Sequence, residues 1–511
     1  MPISNPLVTL NILPANQEVG NVSQNVLIVG QGLAAGSYTS GDLQQNVAEA
    51  DISSLFGAKS HIAQMLRAFK AINKVTAVDA IALDDAAGTE ATGTYAIAGT
   101  ATEAGTLVFN IGSGTNRSYS IDVASGDAHT DVSAALEAAI TADTTAPFSG
   151  SDTSGTVTIT AENKGTIGND YTLELTGSVA GITVTVTGMA SGATDPTLTG
   201  LFDVIGTKRY QTIVYPGAYD TTVLTTLLDA RFNIDNNVLD GIAILTVTDT
   251  YASLVSTYTA INNESLAVCG NQTVSRTYKK GGAIMELNDV VSSQIAAIRA
   301  LRLTPDVSIA NYVISRAARD SFGGDHIRSL PYHNTPYSLI PLIPLEDEFT
   351  ETEISGLLTA GVFTLGNNRA GNSVIQGSTV TTYKTDAAGN ADVSFKYLNY
   401  VDTMSGIREY MYNNLKNRYA QCRLTEGDLE IGYNMANEAS IRAYIAGLYT
   451  NLSGTGYVLT QAWQTALDFF KQNLTVTLDL ANRKVSVSMK TPIVTQIGSI
   501  IGSIQVAFTT N

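Results

Sequence analysis

Residues 474–511 hold more β-strand than they can pair among themselves, and no other stretch constrains the chain as much. Leu474, Val476, Leu478 and Leu480 alternate with Thr475, Thr477 and Asp479. After a turn at Ala481, Asn482 and Arg483, Val485, Val487 and Met489 alternate with Ser486, Ser488 and Lys490. Period-two alternation on both sides of a turn predicts a hairpin with one apolar face. Residues 491–503 carry no acid and no base, and they lead to Ile504, Val506 and Phe508 at the spacing of a third strand. A lone hairpin is marginal in water and leaves two open edges, so further strands are required.

The other end of the chain offers one. Val8, Leu10 and Ile12 fall on one side of a stretch bracketed by Pro6 and Pro14, followed by a polar linker to Gln24. At ~3.3 Å per residue the linker 14–24 spans about 36 Å and the tether 491–503 about 43 Å. A globular body of this length has a radius of gyration of roughly 20 Å. Each terminal strand can therefore reach a neighbouring subunit, where main-chain hydrogen bonds supply affinity and alternate side chains supply register. The alternative is that both ends fold back on their own domain.

At 511 residues the chain exceeds one ordinary core, so several domains are expected. The net charge of -17, without a basic run, argues against direct nucleic-acid binding, which needs clustered cations. Cys269 and Cys422 lack metal or redox spacing and read as buried thiols. The first residues show no cationic region followed by an apolar one, so no signal peptide is expected. Residues 493–508 contain Gly498 and Gly502 at a transmembrane packing spacing, but Gln496, Ser499, Ser503 and Gln505 interrupt them and they fall short of the usual ~20 apolar residues. No membrane insertion is expected.

Val26, Leu27, Ile28 and Val29 predict a buried strand entering a loop at Gly30 and Gly32. The glycine spacing there does not match a dinucleotide-binding loop. Residues 51–72 carry apolar positions at helical spacing, and 74–83 read as another strand. Between 86 and 200 the composition shifts to Gly, Thr, Ala and Ser, with Arg117 and Lys164 the only cations among a dozen acids, about -10 of charge. Short alternating strands at 106–111, 118–123, 156–160, 171–175 and 182–186, with an Ala-rich helix at 130–141, describe a small α+β module inserted into an α/β domain. Its acidity suits a solvated flank that assembly can do without. Asp122, Asp127 and Asp131 lack the spacing of a calcium loop. Strand–helix alternation resumes at 211–215, 221–232, 241–247, 251–261, 265–269 and 290–303, as in a largely parallel sheet covered on both faces. Asp325, His326 and His333 are the one constellation resembling a catalytic or metal cluster, and without a nucleophile elbow, phosphate loop or paired-histidine helix they read as a Pro-rich structural loop. Helices are expected at 440–452 and 457–470.

From Phe349 onward the order of features resembles the contractile-tail sheath proteins of bacteriophages. The run 350–365 (TETEISGLLTAGVFTL) resembles the family's helix, Gly-Val turn and strand, and 379–386 (TVTTYKTD) its threonine-tyrosine strand. Residues 392–415, with Asp402, Arg408 and Tyr410, resemble its aspartate-bearing turn and long helix. The Thr/Ala/Gly insertion resembles that of the Mu-like branch, whereas Ala420, Gln421, Cys422 and Arg423 depart from the more basic helix end of that branch.

The resemblance implies an α/β core (subtilisin-like sheath domain) with an inserted α+β module, an α+β C-terminal domain and terminal strand-exchange arms. The expected divisions are 1–24 (arm and linker), 25–85 plus 201–395 (core), 86–200 (outward-facing module), 396–490 (tube-facing domain with helices and hairpin) and 491–511 (arm). Val8, Leu10, Ile12, Ile504, Val506 and Phe508 would be the inter-subunit arms; Leu474, Val476, Leu478, Val485, Val487 and Met489 the acceptor hairpin; Arg442, Asp468 and Lys471 the tube contact. The implied function is that of a structural subunit of a contractile tail sheath, forming stacked hexameric rings around a tail tube, located in the virion and assembled in the host cytoplasm. Its implied partners are further copies of itself, the tail tube protein, and baseplate and tail terminator proteins. No cofactor, metal or catalytic residue is expected. An acidic surface or adhesin-type structural protein is the rival reading, followed by a hydrolase.

Overall fold

The computed structural model describes residues 24–492 apart from 86, 113–115, 232–238, 273–286, 304–347, 368–372, 377, 430–433 and 455–462. The chain opens with β1 (Asn25–Gln31), followed by β2 (Leu43–Gln44), α1 (Ile52–Phe56), α2 (His61–Ile72) and β3 (Ala77–Leu83). Helical spacing over 51–72 resolves into two helices because Gly57, at φ 84°, turns the chain and Ser60 caps the next helix. The Ser60 Oγ accepts from Ala63 N at 3.2 Å, satisfying one of the free amides of the first turn.

The next strands and helix are β4 (Glu90–Gly99), β5 (Gly105–Gly112), β6 (Asn116–Val123), α3 (His129–Ala142), β7 (Phe148–Thr153), β8 (Thr156–Lys164), β9 (Thr172–Thr176) and β10 (Ile182–Ala190). They form two antiparallel sheets, ordered β10-β4-β8-β7 and β6-β5-β9. Alternate residues of β8, Val157, Ile159 and Ala161, turn inward onto Tyr95, Phe109, Leu136 and Phe148. The strands β4 and β7 lay outside the expected set, because Ala and Gly in β4 and Ser and Gly in β7 blur the alternation. Asp122, Asp127 and Asp131 each accept a separate local hydrogen bond, from Thr106 Oγ1, Ala124 N and Ala128 N.

This unit is not a free flank. Its core continues into Ala68 of α2 and into Leu287 and Val290. Lys59 pairs with Glu162 at 2.8 Å, and Gln64 Nε2 donates to Thr145 O at 3.0 Å. Asn163, fully buried, accepts from His61 N at 2.6 Å and donates to Gly32 O at 2.9 Å.

The chain then returns to the first sheet through β11 (Thr212–Val214), α4 (Thr221–Arg231), β12 (Ile242–Asp249), α5 (Tyr251–Thr259), β13 (Leu266–Gln272), α6 (Asn288–Leu303), α7 (Glu351–Ala360), β14 (Val362–Asn367) and β15 (Ser373–Gln376). The order is β15-β14-β13-β12-β11-β1-β3-β2, parallel except for β15 and β2 at the edges. Two apolar layers flank it. Val26 and Ile28 face α1, α2 and α6, while Leu27 and Val29 face α4, α5 and α7. Helix α7 is capped at both ends: Thr350 and Glu353 form a reciprocal capping box, and Gly361 closes it at φ 86°. A Cβ on Gly361 would lie 2.7 Å from Thr382 Cα, so glycine is required there.

Residues 379–386, expected as a strand, make isolated bridges only, from Val380 to Tyr397 and from Thr385 to Ala391. Thr382 N donates to Leu266 O and Thr381 N to Lys396 O, so the segment crosses the end of the sheet and finds different partners on either side.

The C-terminal unit comprises α8 (Leu398–Tyr419), a short parallel pair β16 (Arg423–Leu424) and β17 (Met435–Ala436), α9 (Glu438–Gly454), α10 (Trp463–Gln472), β18 (Thr475–Asp479) and β19 (Lys484–Ser488).

Candidate assembly interface

Two helices supply the platform on which the hairpin lies. In α9, Ile441, Ile445, Leu448 and Tyr449 recur at helical spacing and are buried, as are Ala466, Leu467 and Phe470 in α10. Tyr449 and Phe470 stack at 4.0 Å between ring centroids. Leu474 and Val476 complete the buried set, with Leu478, Val485, Val487 and Met489 half-buried against it. The six apolar residues expected on one face of the hairpin therefore come together on one core.

The antiparallel register pairs Val476 with Val487 and Leu478 with Val485. The turn is held by Asp479, which accepts from Asn482 N at 3.0 Å and Asn482 Nδ2 at 2.7 Å. Those donors hold its carboxyl below the usual range. Thr475, Thr477, Ser486 and Ser488 cover the outer face. Among the described residues neither β18 nor β19 pairs with a further strand, so both edges are open for main-chain bonding. The arm residues Val8, Leu10, Ile12, Ile504, Val506 and Phe508 lie outside the described residues.

Arg442, Asp468 and Lys471 gather on one exposed surface. Asp468 and Lys471 are one turn apart on α10, and Arg442 Nη2 donates to Lys471 O at 3.0 Å, adding a cation at that helix's C-terminus. Cys269 is buried and burial raises its thiol pKa well above the ordinary value; Cys422 is half-buried.

One polar cluster was not singled out from sequence. In an open α/β sheet the crevice at the carboxyl ends of diverging strands is the usual ligand site, and here it falls between β1 and β11. His61 sits beside it, fully buried, with Nε2 3.2 Å from Asp289 Oδ2, and Gln31 N donates to its Nδ1 at 3.5 Å. The inserted unit reaches this end of β1: Asn163 bonds both His61 N and Gly32 O, and Asp195 accepts from Thr166 N at 2.7 Å close to Gln31. Burial, together with Asp289 and Asp195, pushes the Tyr219 hydroxyl well above its ordinary pKa. No hydroxyl or thiol nucleophile hydrogen-bonds His61 among the described residues. The sequence signal for this cluster was faint, a histidine directly after the helix-capping Ser60. Asp325, His326 and His333 lie outside the described residues. Among those described, no group of His, Cys, Asp and Glu is placed to hold a metal, and no helix is long and apolar enough to cross a membrane.

No family model matches the sequence. Among curated proteins, the chain is similar to the Mu-like prophage FluMu tail sheath protein of Haemophilus influenzae, at 28% identity over 446 residues, covering 85% of this chain and 83% of the relative. Among solved structures it is similar to a sheath tail protein of Desulfitobacterium hafniense, at a TM-score of 0.47 and 13% identity, covering 94% of this chain and 96% of that one. It is also similar to the helical sheath of the anti-feeding prophage in its contracted state, at a TM-score of 0.49 and 12% identity, covering 99% of both chains. That sequence relationship extends over most of both chains, and on that ground the chain is a structural subunit of a contractile tail sheath.

Proposed function

We propose that this chain polymerises as stacked hexameric rings around a tail tube and contracts to drive the tube through a host envelope. Its α/β core is the subtilisin-like sheath domain used as scaffold, without catalysis. Residues 86–200 face outward, and the surface of Arg442, Asp468 and Lys471 faces the tube. Baseplate and tail terminator proteins are the partners at the two ends, with assembly in the host cytoplasm.

The observation that carries this reading is the hairpin β18–β19, which docks one apolar face and leaves both edges open among the described residues. Strands from neighbouring subunits would complete it, with Val8, Leu10 and Ile12 from one and Ile504, Val506 and Phe508 from another. Burying the last three at ~1.5–3 kcal/mol each gives a gross gain of about 5–9 kcal/mol before ordering costs, enough to join neighbours when repeated around a ring.

Removal of residues 502–511 tests it. The truncated chain is expected to melt as the full chain does and to form no tubes by sedimentation and electron microscopy. A large loss of melting temperature would instead place the last strand within its own subunit, and normal tubes would remove it from assembly altogether.

A further inference from the structure

Helix α8 belongs to two hydrophobic cores at once. Leu398 and Val401, in its first turn, are part of the core under the eight-stranded sheet, whereas Ile407 and Met411 are part of the C-terminal core. Among the described residues, α9, α10 and β18 pack chiefly on one another and on α8. Among the described residues α8 is therefore the main link between the C-terminal unit and the core.

Between its two apolar ends that helix is polar on one side. Asp402, Ser405 and Arg408 follow at intervals of three. Asp402 pairs with Arg299 of α6, which also donates to Gln211 O at 2.6 Å and to Thr212 Oγ1; both acid and base are nearly sealed, with 1% and 4% of their side chains exposed. Ser405 accepts from Arg209 Nη2 at 2.8 Å and donates to Asp240. Asp240 also pairs with Arg209 at 2.9 Å and with Arg408. Arg209 and Asp240 stand just before β11 and β12, so this outer cluster ties α8 to the amino-terminal edge of the sheet. Its arginine side chains are partly exposed, 18% for Arg209 and 35% for Arg408, whereas their shared partner Asp240 is buried, at 8%.

The helix is also weakest at this point. Ser405 and Gly406 are adjacent; glycine costs a helix interior roughly 0.5–1 kcal/mol relative to alanine, and Gly/Ser pairs are recurrent sites of helix kinking. A helix that spans two cores, carries glycine where it leaves the first, and is fastened there by ion pairs to a buried acid whose arginine partners extend towards water has the parts of a fastened hinge.

We propose that residues 402–408 of α8 form such a hinge: Asp402 and Arg299 act as the sealed pivot, and Asp240 with Arg209, Ser405 and Arg408 as a releasable clasp. With the clasp closed, the C-terminal unit holds one angle to the sheet. With it open, the unit swings as one body about Gly406. The hinge is a property of the single subunit and stands apart from the proposed function; its use during contraction rests on that function.

The test is a distance measurement by double electron–electron resonance on the full chain in its unassembled form. Spin labels are placed at Val75→Cys, in the core and 84% exposed, and at Ser486→Cys in the hairpin, in a Cys422→Ser background. The otherwise unaltered chain at low salt is expected to give one narrow distance. Asp240→Asn and Arg408→Gln are each expected to broaden it at least twofold or to add a second distance. Salt at about 1 M, where the screening length is near 3 Å, should broaden the distance of the intact chain less than either substitution does, because Asp240 is buried and its pairs are only partly screened. Gly406→Ala should counter the broadening caused by Arg408→Gln. If Asp240→Asn does not fold, Arg408→Gln still reads the clasp, since its side chain is the most exposed of the set. An unchanged distribution in Arg408→Gln at both salt concentrations, with the fold intact by circular dichroism, would overturn the hinge.

Discussion

The start of α7 shows how single residues hold this fold. Thr350 N and Oγ1 both donate to Glu353 at 2.9 and 2.8 Å, and Glu353 N donates back to Thr350 Oγ1 at 3.4 Å. These donors hold the Glu353 carboxyl below its ordinary pKa of 4.5. A carboxyl whose pKa is lower in the folded chain stabilises the fold fully above its unfolded pKa, and loses that contribution as pH falls through the folded one. Thr350→Ala is expected to lower stability by about 1 kcal/mol at neutral pH, and the gap between variant and parent should shrink as pH falls through and below 4.5, as read by urea melts at a series of pH values. A gap independent of pH would show that the hydroxyl acts without the carboxylate.

At the scale of elements, the inserted unit behaves as part of the core. Excision of residues 88–197 with a short Gly/Ser bridge would uncover Ala68, Leu287 and Val290. It would also leave His61 N and Gly32 O without Asn163. Uncovering two large apolar side chains and unpairing two buried main-chain groups costs on the order of 5 kcal/mol or more. The excised chain is therefore expected to melt at least several degrees lower by calorimetry, or to fail to fold, in contrast with the dispensable flank that its acidity and composition suggested. An unchanged melt would show that these contacts add little.

At the scale of the whole molecule, the charges at Arg442, Asp468 and Lys471 gather on the C-terminal unit, 29 residues separating the first from the last. Reversing all three, as Arg442→Glu, Asp468→Lys and Lys471→Glu, is expected to abolish co-assembly with tail tube while tubes of sheath alone still form. Loss of the Arg442 contact to the end of α10 should cost only about 0.3–1 kcal/mol, which a melt will register separately. Co-assembly that survives the reversal would place the tube contact elsewhere.

Sequence alone determined what depends on local period and local caps. Alternation in 474–489 specified the hairpin and its apolar face, and continuous apolar runs at Val26–Val29 and 242–247 specified buried parallel strands. Helix spacing placed α3, α5, α6 and α9 to within about three residues of their ends. Strands made of Ala, Gly and Ser, such as β4 and β7, escaped because their inward and outward residues differ little in polarity. Only the tertiary structure decided the rest. Asn163 meets His61 across 102 residues, Arg299 meets Asp402 across 103, and Ser405 meets Asp240 across 165. A periodic pattern states which side of an element is buried, but not which distant element buries it. The joining of the inserted unit to β1 and α2 and the fastening of α8 both arise from pairings of that long-range kind.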